Sequence, residues 1–149
     1  MAAYLRYIQM IYLAQTDTTA GFLSKDLKKL NAIKNRPLNQ PCLICVSKFK
    51  NLQNFSRVPK KYKNLIRRSK KTTFIYPNLK AIRVVKDHPH TKLLDKLEWV
   101  YSTSANLHKK EFDIEFAKGK ADVIVDYKFT PAPASKIYKI SKTNIRRIR

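Results

Sequence analysis

Glycine is nearly missing: Gly21 and Gly119 are the only two in 149 residues. That excludes a P-loop and a G-x-G-x-x-G dinucleotide loop, which both need several glycines so that backbone can approach a phosphate. Any phosphate site must instead be built from side chains and strand-end amides. Carboxylates are scarce too, ten against thirty-two Lys and Arg, which leaves little for a site holding two metal ions. No Ser-His-Asp or Cys-His arrangement stands out among the three histidines. Cys42 and Cys45 are the only cysteines, and no apolar leader with a small-residue cleavage site opens the chain, so a reducing, cytoplasmic setting is expected. The apolar stretch over 4–13 is broken by Arg6 and Gln9 and is too short to cross a bilayer, so no membrane partner is expected.

What is present is positive charge and an adequate apolar content. Residues that can build a core make up 44% of the chain, and its length suits one domain. The net charge of +22 is unevenly placed: seventeen Lys and Arg separate Asp26 from Asp87 with no carboxylate among them, and seven more follow Asp126. A surface so one-sided repels itself and attracts polyanions, so nucleic acid or nucleotide is the expected class of partner. General solubility is the plainer use of the same lysines.

Three short polar clusters stand at the ends of apolar runs: Thr16-Asp17-Thr18-Thr19, Lys34-Asn35-Arg36-Pro37 and Ser102-Thr103-Ser104-Ala105-Asn106. If the backbone is extended there, Thr16 with Thr18, Lys34 with Arg36, and Ser102 with Ser104 and Asn106 project together. Hydroxyls and an amide would then orient a small polar substrate while Lys34 and Arg36 neutralise a polyphosphate. Each cluster also has a plainer use. A basic helix end complements the helix dipole, Ser and Asn cap helices, and Thr suits a strand end.

The pattern predicts strands over 8–14, 42–49, 72–76, 81–85, 99–102, 123–125, 136–140 and 144–149. Pro77-Asn78 between the third and fourth of these marks a hairpin or a bent strand pair. Helices are expected over 25–33 behind Ser24 as N-cap, and over 60–68, 90–97 and 113–118. Pro37 ends the first helix and holds Arg36 extended. Cys42-Leu43-Ile44-Cys45 has C-x-x-C spacing, but in an apolar strand-like run the thiols pack as small apolar groups. His88-Pro89-His90 reads as surface turn residues.

The same clusters carry a resemblance. Gln15-Thr16-Asp17-Thr18-Thr19-Ala20-Gly21, Lys34-Asn35-Arg36-Pro37-Leu38-Asn39-Gln40-Pro41 and Ser102-Thr103-Ser104-Ala105-Asn106, in that order, resemble the P-T-D/E-T-x-Y-G, K-x-R-P-x-x-N/K-P and S-A-N patterns of the L-threonylcarbamoyladenylate synthases, the YrdC-like family. The likeness continues through Ser135-Lys136-Ile137 to Arg149. It implies an α/β fold, a twisted mixed sheet of about seven strands with helices packed on its faces, in one domain over 1–149. It implies synthesis of L-threonylcarbamoyladenylate from L-threonine, bicarbonate or CO2 and ATP, with magnesium carried by the triphosphate and pyrophosphate released. The product would pass to a tRNA threonylcarbamoyl-transferase complex acting at tRNA position 37. Lys34 and Arg36 would be catalytic. Arg36, Gln40, Thr73, Ser104, Asn106 and Arg149 would hold ATP, and Thr18, Cys45, Ser102 and Ser135 would hold threonine. Residues 1–9 would be an upstream extension.

The chain departs from the family pattern at Gln15, Ala20 and Gln40, and the family's W-P-G-P-x-T segment is here Arg68-Ser69-Lys70-Lys71-Thr72-Thr73. These departures keep open a second reading, a non-catalytic RNA-binding or ribosome-associated module on the same fold that meets tRNA or double-stranded RNA through the basic surface over 28–86. A third is a related carbamoyl-adenylate enzyme with a different acceptor.

Overall fold

The computed structural model describes residues 9–149. In chain order its elements are β1 (Tyr12–Gln15), β2 (Ala20–Ser24), α1 (Leu27–Ile33), β3 (Leu43–Val46), α2 (Phe49–Leu52), a 3-10 turn (Lys60–Tyr62), α3 (Lys63–Arg68), β4 (Thr72–Ile75), β5 (Ala81–Val84), α4 (Thr91–Leu97), β6 (Val100–Ser104), α5 (Ile114–Lys120), β7 (Val123–Ile124), β8 (Lys136–Ile140) and β9 (Ile145–Arg147). The part of the expected first strand at residue 8, and all but Gln9 of the expected extension, lie outside the described residues. The chain divides into two compact units, one formed by the residues up to Cys42 with Val100–Ala132, the other by Leu43–Trp99 with Pro133–Arg149.

In the first unit the strands run β7-β1-β2-β6. β1 pairs antiparallel with β2 and parallel with β7, and β2 pairs antiparallel with β6 so that Gly21 faces Ser104 and Leu23 faces Ser102. Ile11, Leu13, Phe22, Leu30 and Ala117 form its core, with Phe116 edge-on to Phe22 at 6.1 Å. Two of the few carboxylates complete this edge: Asp122 accepts from the Ile11 amide at 2.9 Å and Asp126 from the Gln15 amide at 2.8 Å. Lys29 also donates to Asp122, which draws that carboxyl below the usual range.

The second unit runs β3-β5-β4-β8-β9, with β3 parallel to β5, β5 antiparallel to β4, β4 parallel to β8 and β8 antiparallel to β9. Ile44, Val46, Leu52, Ile66, Phe74, Tyr76, Ile82, Leu94 and Ile140 are buried in it, and Phe74 stacks on Tyr138 at 5.9 Å.

The structure corrects the sequence expectations at several places. There are nine strands among the described residues rather than about seven. β2 was not expected, because all five of its residues are buried and show no alternation, while Gly21 beside a threonine cluster reads as loop. Asp26, not Ser24, caps α1: its carboxylate accepts from the Lys29 amide, and the Ser24 hydroxyl accepts one step earlier from the Asp26 amide. The strand expected over 42–49 ends at Val46, and Phe49–Leu52 turns into helix so that Leu52 can be fully buried. Among the described residues six non-glycine positions take a positive φ: Asn35, Lys71, Leu79, Asp87, Glu98 and Lys109. Glycine would accept that conformation at no steric cost, and asparagine and aspartate tolerate it better than the rest.

His90 is buried, not a surface turn residue, and its Nε2 has no hydrogen-bond partner. Burial, reinforced by Arg83 and then His88, lowers its pKa to about 3. The unfolded chain takes up a proton near the usual value of 6.5 and the native state does not, so stability falls as pH drops below that value. Thermal unfolding between pH 7 and pH 4.5 should show this loss, and His90→Phe should flatten the curve over that window.

Candidate functional site

The first unit gathers Lys34, Ser104 and Asn106, though not through extended backbone. Lys34 closes α1 with helical dihedrals and Asn35 follows at φ 56°. The Arg36 amide then donates to Asn31 O and the Asn35 amide to Ala32 O, both at 3.1 Å, which is a Schellman closure. The expectation that Lys34 and Arg36 share an extended face is therefore wrong. The helix end instead aims the Lys34 ammonium at β6. It donates to Ser104 O and Asn106 O at 2.6 Å each, with Asn106 Oδ1 at 3.2 Å and Ser104 Oγ at 3.5 Å. Burial first and Arg36 second lower its pKa to about 8, with Cys42 opposing.

Arg36 points to a different set of partners. Its Nε donates to Asn31 Oδ1 at 2.6 Å and its Nη2 to Cys42 Sγ at 2.9 Å. The Asn31 amide nitrogen donates at 2.9 Å to Leu38 O and to Gln40 O, so one buried side chain fixes both the arginine and the loop behind it. Burial pushes the Cys42 thiol up while Arg36 and Lys34 pull it down. Among the described residues the Lys34 and Arg36 side chains bond only to carbonyls, two side-chain amides, a hydroxyl and a thiol. No carboxylate among the described residues pairs with either, so neither charge is offset by an acid.

The threonine cluster is the four-residue loop joining β1 to β2, since Gln15 pairs with Ala20. Here too the backbone turns rather than extends. Thr16 donates through its hydroxyl to Thr19 O at 2.6 Å and accepts from the Thr18 amide at 3.1 Å, which brings the two buried hydroxyls to 3.3 Å. Gly21 makes room for them: a Cβ there would stand 2.7 Å from Thr16 Cγ2, 3.4 Å from Thr103 O and 3.7 Å from Ser102 Oγ. Gly21→Ala should therefore cost about 1–3 kcal/mol through overpacking, measured by chemical denaturation, and should displace Thr16. Ser102 is buried in β6 and Ser104 exposed at its end. A loop, not a helix, follows. It is held by the Asn106 amide, which donates to Leu107 O and Lys110 O, and by the His108 amide, which donates to Lys34 O.

The second unit gathers Thr73, Ser135 and Arg149. Thr73 Oγ1 lies 3.0 Å from Ser135 Oγ, both buried, and Arg149 donates through Nε to Ser135 O at 3.0 Å and through Nη2 to Ser135 Oγ at 3.4 Å. Its backbone is paired to Ile137, which holds the guanidinium in place. Cys45 is buried on β3, where Arg83 Nη2 reaches its sulfur at 3.7 Å from β5. Lys70 pairs with exposed Asp87 at 2.7 Å. Among the described residues no three His, Cys, Asp or Glu side chains stand together as metal ligands, and no helix is long and apolar enough to cross a membrane. The sequence reading missed Asn31, whose signal was a buried-face polar residue beside Leu30 in an otherwise apolar-periodic helix.

A profile of the Sua5/YciO/YrdC family, described as "Telomere recombination", matches residues 15–149. The chain belongs to that family. Its fold is similar to that of P. abyssi Sua5 complexed with L-threonine, with TM-score 0.79 and 19% identity over 99% of this chain and 52% of that one. It is also similar to E. coli YciO, with TM-score 0.77 and 16% identity over 99% and 86%, and to full-length HypF in its phosphate- and nucleotide-bound form, with 0.74 and 15% over 99% and 28%. At such identities the likeness is one of fold, and it bears out the α/β class of mixed strands and helices. The chain spans about half the length of the Sua5 structures it matches. No curated protein matches it in sequence.

Proposed function

We propose that this chain carries out ATP-dependent synthesis of L-threonylcarbamoyladenylate, a nucleotidyl transfer that serves tRNA modification. The observation that carries the reading is that Lys34 and Arg36 are both held by neutral groups with no carboxylate among the described residues paired to either, Lys34 beside the hydroxyl of Ser104 and Arg36 against Asn31 and Cys42. In adenylation both the attacking carbamate oxygen and the departing pyrophosphate are anionic. The protein's task is therefore to position them and offset charge, with no side-chain nucleophile required. Magnesium would arrive with the triphosphate. Arg36, Gln40, Thr73, Ser104, Asn106 and Arg149 are proposed for ATP, and Thr18, Cys45, Ser102 and Ser135 for threonine. Bicarbonate is the further substrate, and a threonylcarbamoyl-transferase complex is the proposed recipient of the product. Membership of the family and the threonine complex of its Sua5 fold relative support this reading. Calorimetric titration of the full chain with L-threonine in the presence of Mg-ATP should give saturable heat that Arg36→Ala abolishes. No threonine heat from wild type would overturn it.

Ala20 and the replaced segment over 68–71 favour one second reading, a non-catalytic RNA-binding module. It predicts salt-sensitive RNA affinity that survives Lys34→Ala and Arg36→Ala together with absence of threonine binding.

A further inference from the structure

Gln15 departs from the family pattern, which has proline at the matching position, and the proposed site gives it no role. Proline has no N–H to donate. Here that N–H is spent on Asp126 Oδ2 at 2.8 Å, and the side chain turns back over the loop between β1 and β2. Its Nε2 donates to Thr16 O at 3.2 Å and to Thr18 O at 3.3 Å, while its Oε1 accepts from the Thr130 amide at 3.0 Å. Only this orientation of the carboxamide satisfies all three partners, because the reverse one would set its oxygen against two carbonyls and its nitrogen against an N–H.

One residue thus ties the threonine loop to the segment after β7, all within the first unit. Asp126 holds its backbone and Thr130 the far end of its side chain, which keeps the carboxamide on the two loop carbonyls. Thr18 is fixed at both ends as a result: its N–H donates to Thr16 Oγ1 at 3.1 Å and its carbonyl accepts from Gln15. Thr16 is fixed in turn, its hydroxyl donating to Thr19 O at 2.6 Å and its methyl lying over Gly21. The direction of the Thr18 hydroxyl, 3.3 Å from that of Thr16, is set by bonds that Gln15 completes.

We infer that Gln15 is a positioning residue for the threonine subsite, holding the Thr18 hydroxyl where the substrate amino acid meets it. The inference rests on the proposed assignment of Thr18 to threonine and deepens it. A latch that merely closed the hairpin would protect stability and leave both substrates bound as before. Loss of a positioning residue is felt by threonine and not by ATP, since the ATP contacts assigned to this unit are held by other side chains. Asn31 holds Arg36 and the Gln40 carbonyl, and Lys34 holds Ser104 and Asn106.

The test is steady-state pyrophosphate release by the full chain, with threonine and ATP varied in turn. Gln15→Met keeps the length of the side chain and the N–H bonded to Asp126 but removes both ends of the carboxamide. It should raise the apparent KM for threonine about tenfold, lower kcat by less than about threefold and leave the KM for ATP within about twofold of wild type. Thr130→Pro removes only the donor to Oε1 and leaves Gln15 itself intact. It should raise the threonine KM roughly two- to fourfold in the same pattern. Thermal unfolding sets an assay temperature at which the variants are folded, and if Gln15→Met does not fold, Thr130→Pro decides alone. In an active wild type, a threonine KM left unchanged by the folded variants, or raised no more than the KM for ATP, would overturn this inference and leave the proposed function standing. A wild type without threonine-dependent release would overturn the proposed function and this inference with it.

Discussion

Lys34→Met should lower threonine-dependent pyrophosphate release by at least about 100-fold, the scale seen when one aligned charge-stabilising donor is lost from an active site. It should also destabilise the chain by about 2–4 kcal/mol, because the carbonyls of Ser104 and Asn106 lose the donor they share. The two effects have one origin. In the proposed function the ammonium carries the charge offered to substrate, and in the structure it pins the end of β6 to the end of α1. Lys34→Arg should recover part of the activity while restoring little of the stability, since a planar fork does not reproduce the convergent geometry of an ammonium.

The pH dependence separates the two roles. With a folded pKa of about 8 against the usual lysine value of 10.5, the unfolded chain binds the more protons between those limits. The contribution of Lys34 to stability therefore improves as pH rises through that window. Activity should move the other way, falling towards tenfold per unit above about pH 8 as the cation is lost. In Lys34→Arg the alkaline fall should disappear. A wild-type rate that is level to pH 9.5 would contradict a catalytic role for this charge.

Asn31→Leu should be nearly as damaging. The substitution keeps the branching at Cγ but strips Arg36 of its Oδ1 acceptor and leaves Leu38 O and Gln40 O without their donor, at about 2–4 kcal/mol in all. For a chain of this size each kcal/mol lowers Tm by roughly 3 °C. Asn31→Asp divides the effect: it keeps the acceptor for Arg36 and removes only the donor side. It also sets a carboxylate against Arg36, so both variants should raise the apparent KM for ATP, Asn31→Leu by freeing the guanidinium and Asn31→Asp by offsetting its charge. An apparent KM for ATP unchanged in both variants would contradict a positioning role for Asn31.

The fold and the membership of the three clusters were legible because they are chemical patterns in one dimension. Apolar runs bounded by polar clusters located most strands, and K-x-R-P with S-A-N named the residues that meet at the Lys34 ammonium. Backbone path was not legible. Thr16 and Thr18 come together because a hairpin loop turns, not because a strand alternates. Lys34 reaches β6 from a helix end whose left-handed residue is Asn35 rather than glycine. β2 was hidden by burial on both faces, and Asn31 by the fact that the acceptors of its amide nitrogen are backbone carbonyls of a loop seven and nine residues on, which no side-chain pattern reports. The role of Gly21 is a matter of distance to the Thr16 methyl, a contact invisible until the loop is folded.

Pyrophosphate release from Mg-ATP by the purified chain, measured with and without L-threonine and bicarbonate, tests the central claim most directly. The account predicts release only when both are present, lost in Lys34→Met. Release that is absent from wild type, or indifferent to threonine, would contradict it.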